Sequence, residues 1–491
     1  MKLMEKLKLF FSVAAVSAAL VLTGSCTRVH SDYESSVPED AAMVVKVDLE
    51  SVYDDSGLEN SGYLDTVKDL ILSSVDDERV SLKLKEFLRD ISNTGLDFGK
   101  AVYLALPGNE KYSPVAVIAV KDYNKLKENC RFFEAETDEL RFDDEGDNIF
   151  SLTSTDLSFL AAFDKDAFVL YLDDYAGNRD DKSFVLSLLE QDNSVRDPSL
   201  DKLFSSRDQI CAWYSVRSLS SYAGVDLAEL MGLSSDDDTD CMLTVDTKGN
   251  RFDVVVDAEL GESARVLKTL AGNMDKSIFK HLPANGLLSA SLALSSFNRA
   301  LDYLPLDLAE DIDDALEDAG LTASDFGGNA AFTLLDVDVD NPQFALAANT
   351  DRVVYERLKG ELRDLGMKAY YDDGILSIMD KATASESDGG VFRDNISGSP
   401  ASKVMSDACF SLSVDFQTLS YSDVEDLLDM SGLDEWSYLL RETDILGKLG
   451  TASVSLSADP KIAFSLTLRE KNDNIWKVIA DIVAGMIADN E

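Results

Sequence analysis

The chain has 491 residues, 45% of them hydrophobic, and 91 acidic side chains against 45 basic ones. It is long and apolar enough for two or more domains with sizeable cores, which excludes a wholly disordered protein. A formal net charge of −46 repels nucleic-acid phosphates and anionic lipid headgroups, so we expect no nucleic-acid partner.

The first 25 residues have the features of an export signal. A basic segment with Lys6 and Lys8 precedes an apolar run from Leu9 to Leu22, and small residues then lead to Cys26. Crossing a bilayer takes about 20 apolar residues, so this shorter run favours a cleaved signal over a membrane-spanning helix. The sequence therefore predicts a signal peptide over residues 1–25.

The residues before Cys26 resemble the lipobox of bacterial lipoproteins, although Leu22 stands one position further from the cysteine than in the commonest form. The resemblance implies that the Cys26 sulfur receives a diacylglyceryl group, that the chain is cut before this residue and that its new amine is acylated, with fatty acids such as palmitate. The membrane is then a partner through the lipid. Residues 26–36 are expected to form a tether, and Thr27 in place of Asp favours the outer membrane. The membrane face is left open.

From Val37 onward the sequence repeats a module of strand, helical insert, β-hairpin and helix. The modules begin with alternating apolar and polar residues near Met43, Ile210, Leu287 and Ala408. Short strands joined by turns, with helices between the pairs, predict an α+β fold with mostly antiparallel sheets.

The first and third modules match at a nearly constant spacing, which predicts a tandem duplication. Asp97-Phe98-Gly99 and Asp325-Phe326-Gly327 are 228 positions apart. Half A is expected at residues 37–280 and half B at residues 281–491. Half A also contains an addition, residues 157–189, with the pattern of two strands and a helix.

Equivalent turns and helix starts are expected in the two halves. Asp122 and Asp351 are placed to begin helices, since Asp is a favoured N-cap residue. Paired aspartates followed by Gly146 and Gly374 are typical of hairpin turns.

Several short motifs stand at the start of half A: Tyr33, Val37-Pro38, Asp40-Ala41, Val47-Asp48, Ser51 and Gly57-Leu58. Together they resemble the opening of a family of large Bacteroidetes lipoproteins known only as a domain of unknown function. The resemblance is expected to cover the whole mature chain, and it implies no established activity or site.

No catalytic residue can be named from the motifs. Histidine occurs only at positions 30 and 281, and the chain has no GxSxG, HExxH or phosphate-loop pattern. The two Asp-Phe-Gly tripeptides occur without the other kinase motifs and are interpreted as turns. We therefore expect a non-enzymatic protein without a cofactor. The alternative is a hydrolase of envelope or dietary polysaccharide, which needs two carboxyl groups about 5–10 Å apart.

Asp336, Asp338 and Asp340 alternate along the chain and would share one face of a strand. They are candidate calcium ligands, although the glycine and glutamate of an EF-hand loop are missing. A solvated acidic edge is the other interpretation.

The cysteines after Cys26 stand at positions 130, 211, 241 and 409, without a metal-binding spacing. A disulfide between Cys211 and Cys241 and a set of buried thiols both remain open. The leading functional hypothesis is a cell-envelope lipoprotein that offers a binding or scaffolding surface to an envelope protein or glycan.

Overall fold

The computed structural model describes the chain in segments: residues 32–56, 68, 72, 77–109, 112–136, 140–154, 159–172, 179–191, 198–223, 239–258, 261–303, 306–336, 342–417, 419, 445–459, 461–471 and 474–478. The predicted export signal and Cys26 lie outside them. Contacts divide the chain into unit 1, residues 1–249 with 474–491, and unit 2, residues 250–473.

The described residues of unit 1 form ten strands in chain order: β1 (Ala41–Val47), β2 (Leu96–Asp97), β3 (Val102–Pro107), β4 (Val115–Val120), β5 (Leu140–Gly146), β6 (Ile149–Ser154), β7 (Phe159–Phe163), β8 (Ala167–Leu172), β9 (Ile210–Ser215) and β10 (Asp240–Lys248). They pair antiparallel in the order β10–β9–β1–β3–β4–β8–β7–β6–β5, and β2 pairs with the end of β4.

The α-helices described in unit 1 are α1 (Leu49–Ser56), α2 (Glu78–Arg89), α3 (Tyr123–Glu136), α4 (Arg179–Leu189), α5 (Pro198–Ser205) and α6 (Val216–Ala223). Helix α3 begins where the sequence predicted, because the Lys125 amide donates to Asp122 Oδ1 over 3.0 Å. Strands β7 and β8 with helix α4 occupy residues 157–189, the segment for which two strands and a helix were predicted.

The main core of unit 1 lies on one face of its strands and includes the start of the described chain. Residues 32–36, which the sequence assigned to the tether, form a 3₁₀ helix whose Tyr33 is buried against Tyr103. The Tyr33 hydroxyl donates to Ala101 O over 2.9 Å, and the Tyr103 hydroxyl donates to Glu34 over 2.8 Å. An aromatic ring with a satisfied hydroxyl is well suited to such a buried position.

One charged side chain, Lys46 of β1, is buried on this same face. Its Nζ donates to Phe204 O over 2.9 Å and to Ser206 O over 2.8 Å, at the C-terminal end of α5. Carbonyls at the end of a helix accept hydrogen bonds from outside it, and the negative end of the helix dipole favours a cation there. The hydrogen bonds of Lys46 therefore join the C-terminal end of α5 to strand β1.

The C-terminal residues 474–478 belong to unit 1 through a polar network. The Ile475 amide donates to Gly249 O over 3.1 Å, and Trp476 Nε1 donates to Thr247 Oγ1 over 2.7 Å. Gln209 completes the network, since its Oε1 accepts from the Thr247 amide and its Nε2 donates to Asp55. The chain thus leaves unit 1 at Gly249 and returns to it at Asn474.

Nine strands lie within the part of unit 2 that the structure describes: β11 (Arg251–Ala258), β12 (Leu288–Ala293), β13 (Phe326–Asp336), β14 (Gln343–Thr350), β15 (Lys368–Asp372), β16 (Ile375–Met379), β17 (Phe410–Asp415), β18 (Leu449–Leu456) and β19 (Lys461–Leu468). They pair antiparallel in the order β11–β19–β18–β17–β12–β13–β14–β16–β15. The predicted α+β class with a large antiparallel sheet is confirmed.

The α-helices described in unit 2 are α7 (Gly261–Leu270), α8 (Phe297–Leu301), α9 (Leu306–Asp318), α10 (Arg352–Asp364), α11 (Lys381–Glu386), α12 (Pro400–Asp407) and α13 (Ile445–Lys448). One cluster of buried side chains, including Ile278, Ala331 and Met405, forms the main core. A second cluster around Leu321, Val354 and Leu376 packs α10 against the other face of β15 and β16.

The units and the predicted halves have different boundaries. Half A was expected to extend to residue 280, whereas unit 1 gives way to unit 2 at Asn250. A sequence repeat marks where a pattern starts again, but a compact unit is defined by contacts. Strand β11 pairs with β19, more than 200 positions later in the chain, and that pairing places it in unit 2.

The predicted turns are found where glycine permits a left-handed backbone. Asp372 pairs with Ile375, and the two residues between them, Asp373 and Gly374, have φ values of 46° and 83°. This is the twist that two-residue hairpin loops require. The two Asp-Phe-Gly tripeptides differ: Phe98 lies in a turn, whereas Phe326 already begins β13.

Gly328 allows two backbone segments to approach closely in unit 2. It lies at an irregular part of β13, its carbonyl accepts from the Leu294 amide, and a Cβ there would stand 1.8 Å from Leu294 O. We expect Gly328→Ala to lower the free energy of unfolding by about 1–3 kcal/mol, because the strand must move to admit the methyl group.

The matched control is Gly360→Ala in helix α10, where a Cβ meets nothing within 4 Å. Alanine restricts the unfolded chain more than glycine does, so this variant should gain about 0.5–1 kcal/mol. Urea unfolding of both variants measures the difference; equal effects would show that the close approach at Gly328 is not a constraint.

Candidate functional site

The structure describes only one of the predicted lipidation and metal residues. Cys26, Asp338 and Asp340 lie outside the described residues, while Asp336 ends β13 opposite Gln343. Across the segments that the structure describes, no three or more His, Cys, Asp or Glu side chains are grouped to hold a metal ion.

The four later cysteines are buried, and none forms a disulfide. The question that the sequence left open for Cys211 and Cys241 is thereby answered in favour of thiols. Burial raises the pKa of Cys130 to about 12 and also raises the pKa of Cys211. Such thiols are poor nucleophiles at neutral pH, because the reactive form is the thiolate.

His281 and Ser377 are close enough to suggest a catalytic pair, but their chemistry is structural. His281 Nδ1 lies 2.8 Å from Ser377 Oγ and 2.9 Å from Gly390 O. A carbonyl oxygen only accepts, so Nδ1 must bear a proton and cannot also act as the base for the serine. Both side chains are buried, which also keeps a substrate away.

Among the described residues, Glu50 and Asp55 are carboxyl groups with raised pKa values. Burial is the main cause for both, and neighbouring aspartates, including Asp54, add to it. Asp55 accepts from Gln209 within the network that holds the C-terminal residues, so its role is structural. The hydrolase of envelope or dietary polysaccharide stays a prediction.

A different feature stands out in unit 2: one face of five neighbouring strands is entirely apolar. The strands are β11, β19, β18, β17 and β12, and their register aligns three cross-strand rows. The rows are Val256–Ile462–Leu456–Phe410–Leu292, Val254–Phe464–Val454–Leu412–Ala290 and Phe252–Leu466–Ala452–Val414–Leu288. We call these fifteen positions the apolar face.

None of the side chains of the apolar face is buried. Four large ones are exposed: Leu292 at 36%, Phe410 at 44%, Val454 at 37% and Ile462 at 47% of their full surface. Leu292 and Phe410 are direct partners across the sheet, and Ile462 stands opposite Leu456. Contiguous exposed apolar surface of this kind marks interaction sites in soluble proteins.

The opposite face of two of these strands, β12 and β17, is covered, yet it consists mainly of small polar residues. Ser289 and Ser291 of β12 and Ser411 and Ser413 of β17 are all buried. Ser291 Oγ and Ser411 Oγ are 2.7 Å apart, so the hydroxyls satisfy each other, and α12 packs against these strands. In β12 and β17 the covered positions are therefore serines, while Leu292 and Phe410 on the other face are exposed.

This reverses the usual assignment of sheet faces, in which the larger apolar residues are covered. Alternation of apolar and polar residues indicates strands here. It does not indicate the apolar face, because it does not say which of the two sets of alternating residues is covered. The signal was the recurrence of serine at every second position, as in Ser289-Ala290-Ser291 and Ser453-Val454-Ser455.

Comparison with known families gives a match over residues 33–250 to the family described as "Domain of unknown function (DUF4836)". This confirms the predicted resemblance to a domain of unknown function for the first part of the chain, and its extension over the whole mature chain stays a prediction. The motif residues Tyr33 and Val37 belong to the core of unit 1, so they act in folding. No curated protein matches the chain.

Among solved structures, the chain is similar to crystal forms of a protein named TP0453. Form III is 14% identical over 48% of this chain and 81% of that one, with a TM-score of 0.27. Form I is 12% identical over 72% of this chain and 93% of that one, with a TM-score of 0.26. Similarity at this level assigns no activity to the chain. Within the described residues, no helix has the length and apolar character needed to cross a bilayer.

The geometry of His281 predicts a pH-dependent stability. Burial lowers its pKa from 6.5, against the raising effects of the Gly390 hydrogen bond and of Asp372, while Lys280 lowers it further. The unfolded chain then binds the proton more readily, so this stability is complete above about pH 6.5 and is lost as the pH falls through the folded-state pKa.

We expect His281→Asn, which keeps a donor near the Nδ1 position but cannot titrate, to lose less stability than the wild type between pH 7.5 and pH 5.5. Urea unfolding of both proteins at pH 7.5 and pH 5.5 measures the difference. The contribution of the carboxyl groups is the same in the two proteins and cancels in the comparison. Parallel losses in the two proteins would contradict the assignment to His281.

Proposed function

We propose that the protein is an outer-membrane lipoprotein, anchored through acylated Cys26, that binds or scaffolds another envelope component without catalysing a reaction. The exposed apolar face of unit 2 is the observation on which the proposal depends. It is large, regular and free of buried side chains, which suits a docking surface better than a catalytic cleft.

The short distance between the anchor and the fold supports a position close to the membrane. Tyr33 is already buried in unit 1, seven positions after Cys26. A fully extended chain of that length spans at most about 25 Å. Lipids on Cys26 would therefore hold unit 1 near the bilayer, with no long linker to let it diffuse away.

We also propose that the two units derive from a tandem duplication. The order β10–β9–β1–β3–β4 in unit 1 has the same connectivity as β18–β17–β12–β13–β14 in unit 2. A hairpin ends each series, β6–β5 in one unit and β16–β15 in the other. In unit 1 the pair β8–β7 lies between the hairpin and β4.

The duplication indicates that the apolar face is a specialisation of unit 2. The positions equivalent to Leu292–Phe410–Leu456 in unit 1 are Val47–Ile210–Val245, which are aligned by the same strand pairs. Val245 is buried, and Val47 packs against the cluster formed by Leu49 and Phe98. Val245 is thus buried in unit 1, whereas in unit 2 no side chain of the matching row is buried and Leu292 and Phe410 are exposed.

The anchor has a direct test. Cys26→Ser should abolish the incorporation of labelled palmitate and leave an unprocessed precursor, because the thiol is the acceptor of the lipid. The matched control Ser25→Ala keeps a small residue before the cysteine and should be labelled and processed like the wild type. Labelled fatty acid on the Cys26→Ser protein would rule out this anchor.

The docking role is tested in cells with a photo-crosslinking amino acid at position 454, on the apolar face, and at position 365. Leu365 is also exposed, at 71%, but follows helix α10 and is not part of the apolar face. We expect discrete crosslinked products in the envelope from position 454 and none of the same mass from position 365. Identical products from both positions, or none from position 454, would refute docking through this face.

A further inference from the structure

We propose that the apolar face binds a basic amphipathic segment of a partner polypeptide, by contact with the apolar side of that segment. This inference rests on the docking role proposed above and specifies the chemistry of the partner. Two independent properties of unit 2 support it, namely the dimensions of the apolar face and the charge that surrounds it.

The dimensions suit one amphipathic helix or a short strand pair. Adjacent strands are about 4.8 Å apart, so the two outer strands of the five are about 19 Å from each other. Residues two positions apart on a strand are about 6.8 Å apart, so the three rows span about 14 Å. An α-helix with its side chains is about 10 Å wide, and its apolar stripe can lie across such a surface.

The charge of unit 2 selects a cationic partner. Residues 250–473 include 40 acidic and 19 basic side chains. Basic residues beside the apolar face are already in ion pairs: Arg251 with Asp253, Lys461 with Asp257, and Lys268 with Asp459. The surrounding field is therefore negative, which attracts a cation and speeds its association.

The same charge argues against two other occupants. A second copy of the chain would bring its own net charge of −46 to the contact and would be repelled. The headgroups of an anionic bilayer would be repelled in the same way. A basic amphipathic polypeptide satisfies both requirements, because its apolar side covers the exposed residues while its lysines and arginines meet the acidic surroundings.

The test uses the chain from Thr27 to Glu491, which includes every described residue, and fluorescently labelled 18-residue peptides. A Leu/Lys amphipathic peptide should bind, whereas a Leu/Glu peptide and a Ser/Lys peptide should bind at least tenfold more weakly. Affinity for the Leu/Lys peptide should fall as salt is raised. If the Ser/Lys peptide bound as tightly as the Leu/Lys peptide, binding would depend on charge and not on apolar contact, which would overturn the proposal.

Variants locate the site. Val454→Thr with Ile462→Thr should weaken Leu/Lys binding at least tenfold, and Phe410→Thr should do so independently. Leu365→Thr is the matched control, because it removes an exposed apolar side chain away from the apolar face. Circular dichroism and urea unfolding verify that each variant is folded. Binding that is unchanged in both folded variants places the peptide elsewhere and contradicts the proposal.

The remaining outcomes separate this proposal from the docking role. Crosslinking at position 454 in cells together with no binding of the Leu/Lys peptide would preserve docking but refute a basic partner. Binding of neutral phosphatidylcholine vesicles, lost in the Val454→Thr, Ile462→Thr variant, would identify a lipid surface instead. Face-dependent dimers in sedimentation experiments would identify a second copy.

Discussion

The strict alternation of side chains along a β-strand is the constraint on which unit 2 depends. Each strand assigns every second residue to one face, so a single register decides the composition of both faces at once. In β12 and β17 that register places serines under helix α12 and leaves Leu292 and Phe410 exposed. A shift of one position would exchange the faces. The exposed apolar surface is thus a property of the whole strand pairing and not of individual residues.

The two units show different ways to cover a sheet that contains polar groups. In unit 1 a buried lysine reaches the carbonyls at the end of α5, and bulky side chains such as Tyr103 and Trp213 fill the space around it. In unit 2 the covered positions of β12 and β17 hold serines, of which Ser291 and Ser411 lie within hydrogen-bonding distance of each other. The Lys46 ammonium and the Ser291 and Ser411 hydroxyls thus have partners, which is the condition for burying them.

Local features of the fold were accessible from the sequence, whereas long-range ones were not. Alternation located the starts of β1, β9, β12 and β17 to within a few residues, and the Asp122 cap and the Gly374 turn are short-range effects that a single segment determines. The pairing of β11 with β19 depends on residues more than 200 positions apart. Which face of β12 is covered depends on α12, whose position no local pattern encodes. The candidate site is therefore visible in the strand sequences only once the covering helix is known.

The return of the chain to unit 1 at Asn474 has a consequence for biosynthesis. Unit 2 is continuous from Asn250 to Asp473, but unit 1 is complete only when the last residues have been made. During synthesis, unit 2 can acquire all its described strands while Thr247 and Gly249 still lack their partners Trp476 and Ile475. The unit that contains the first described residues is then the last to close. A ribosome that stops early would release a protein with an intact second unit and an open first one.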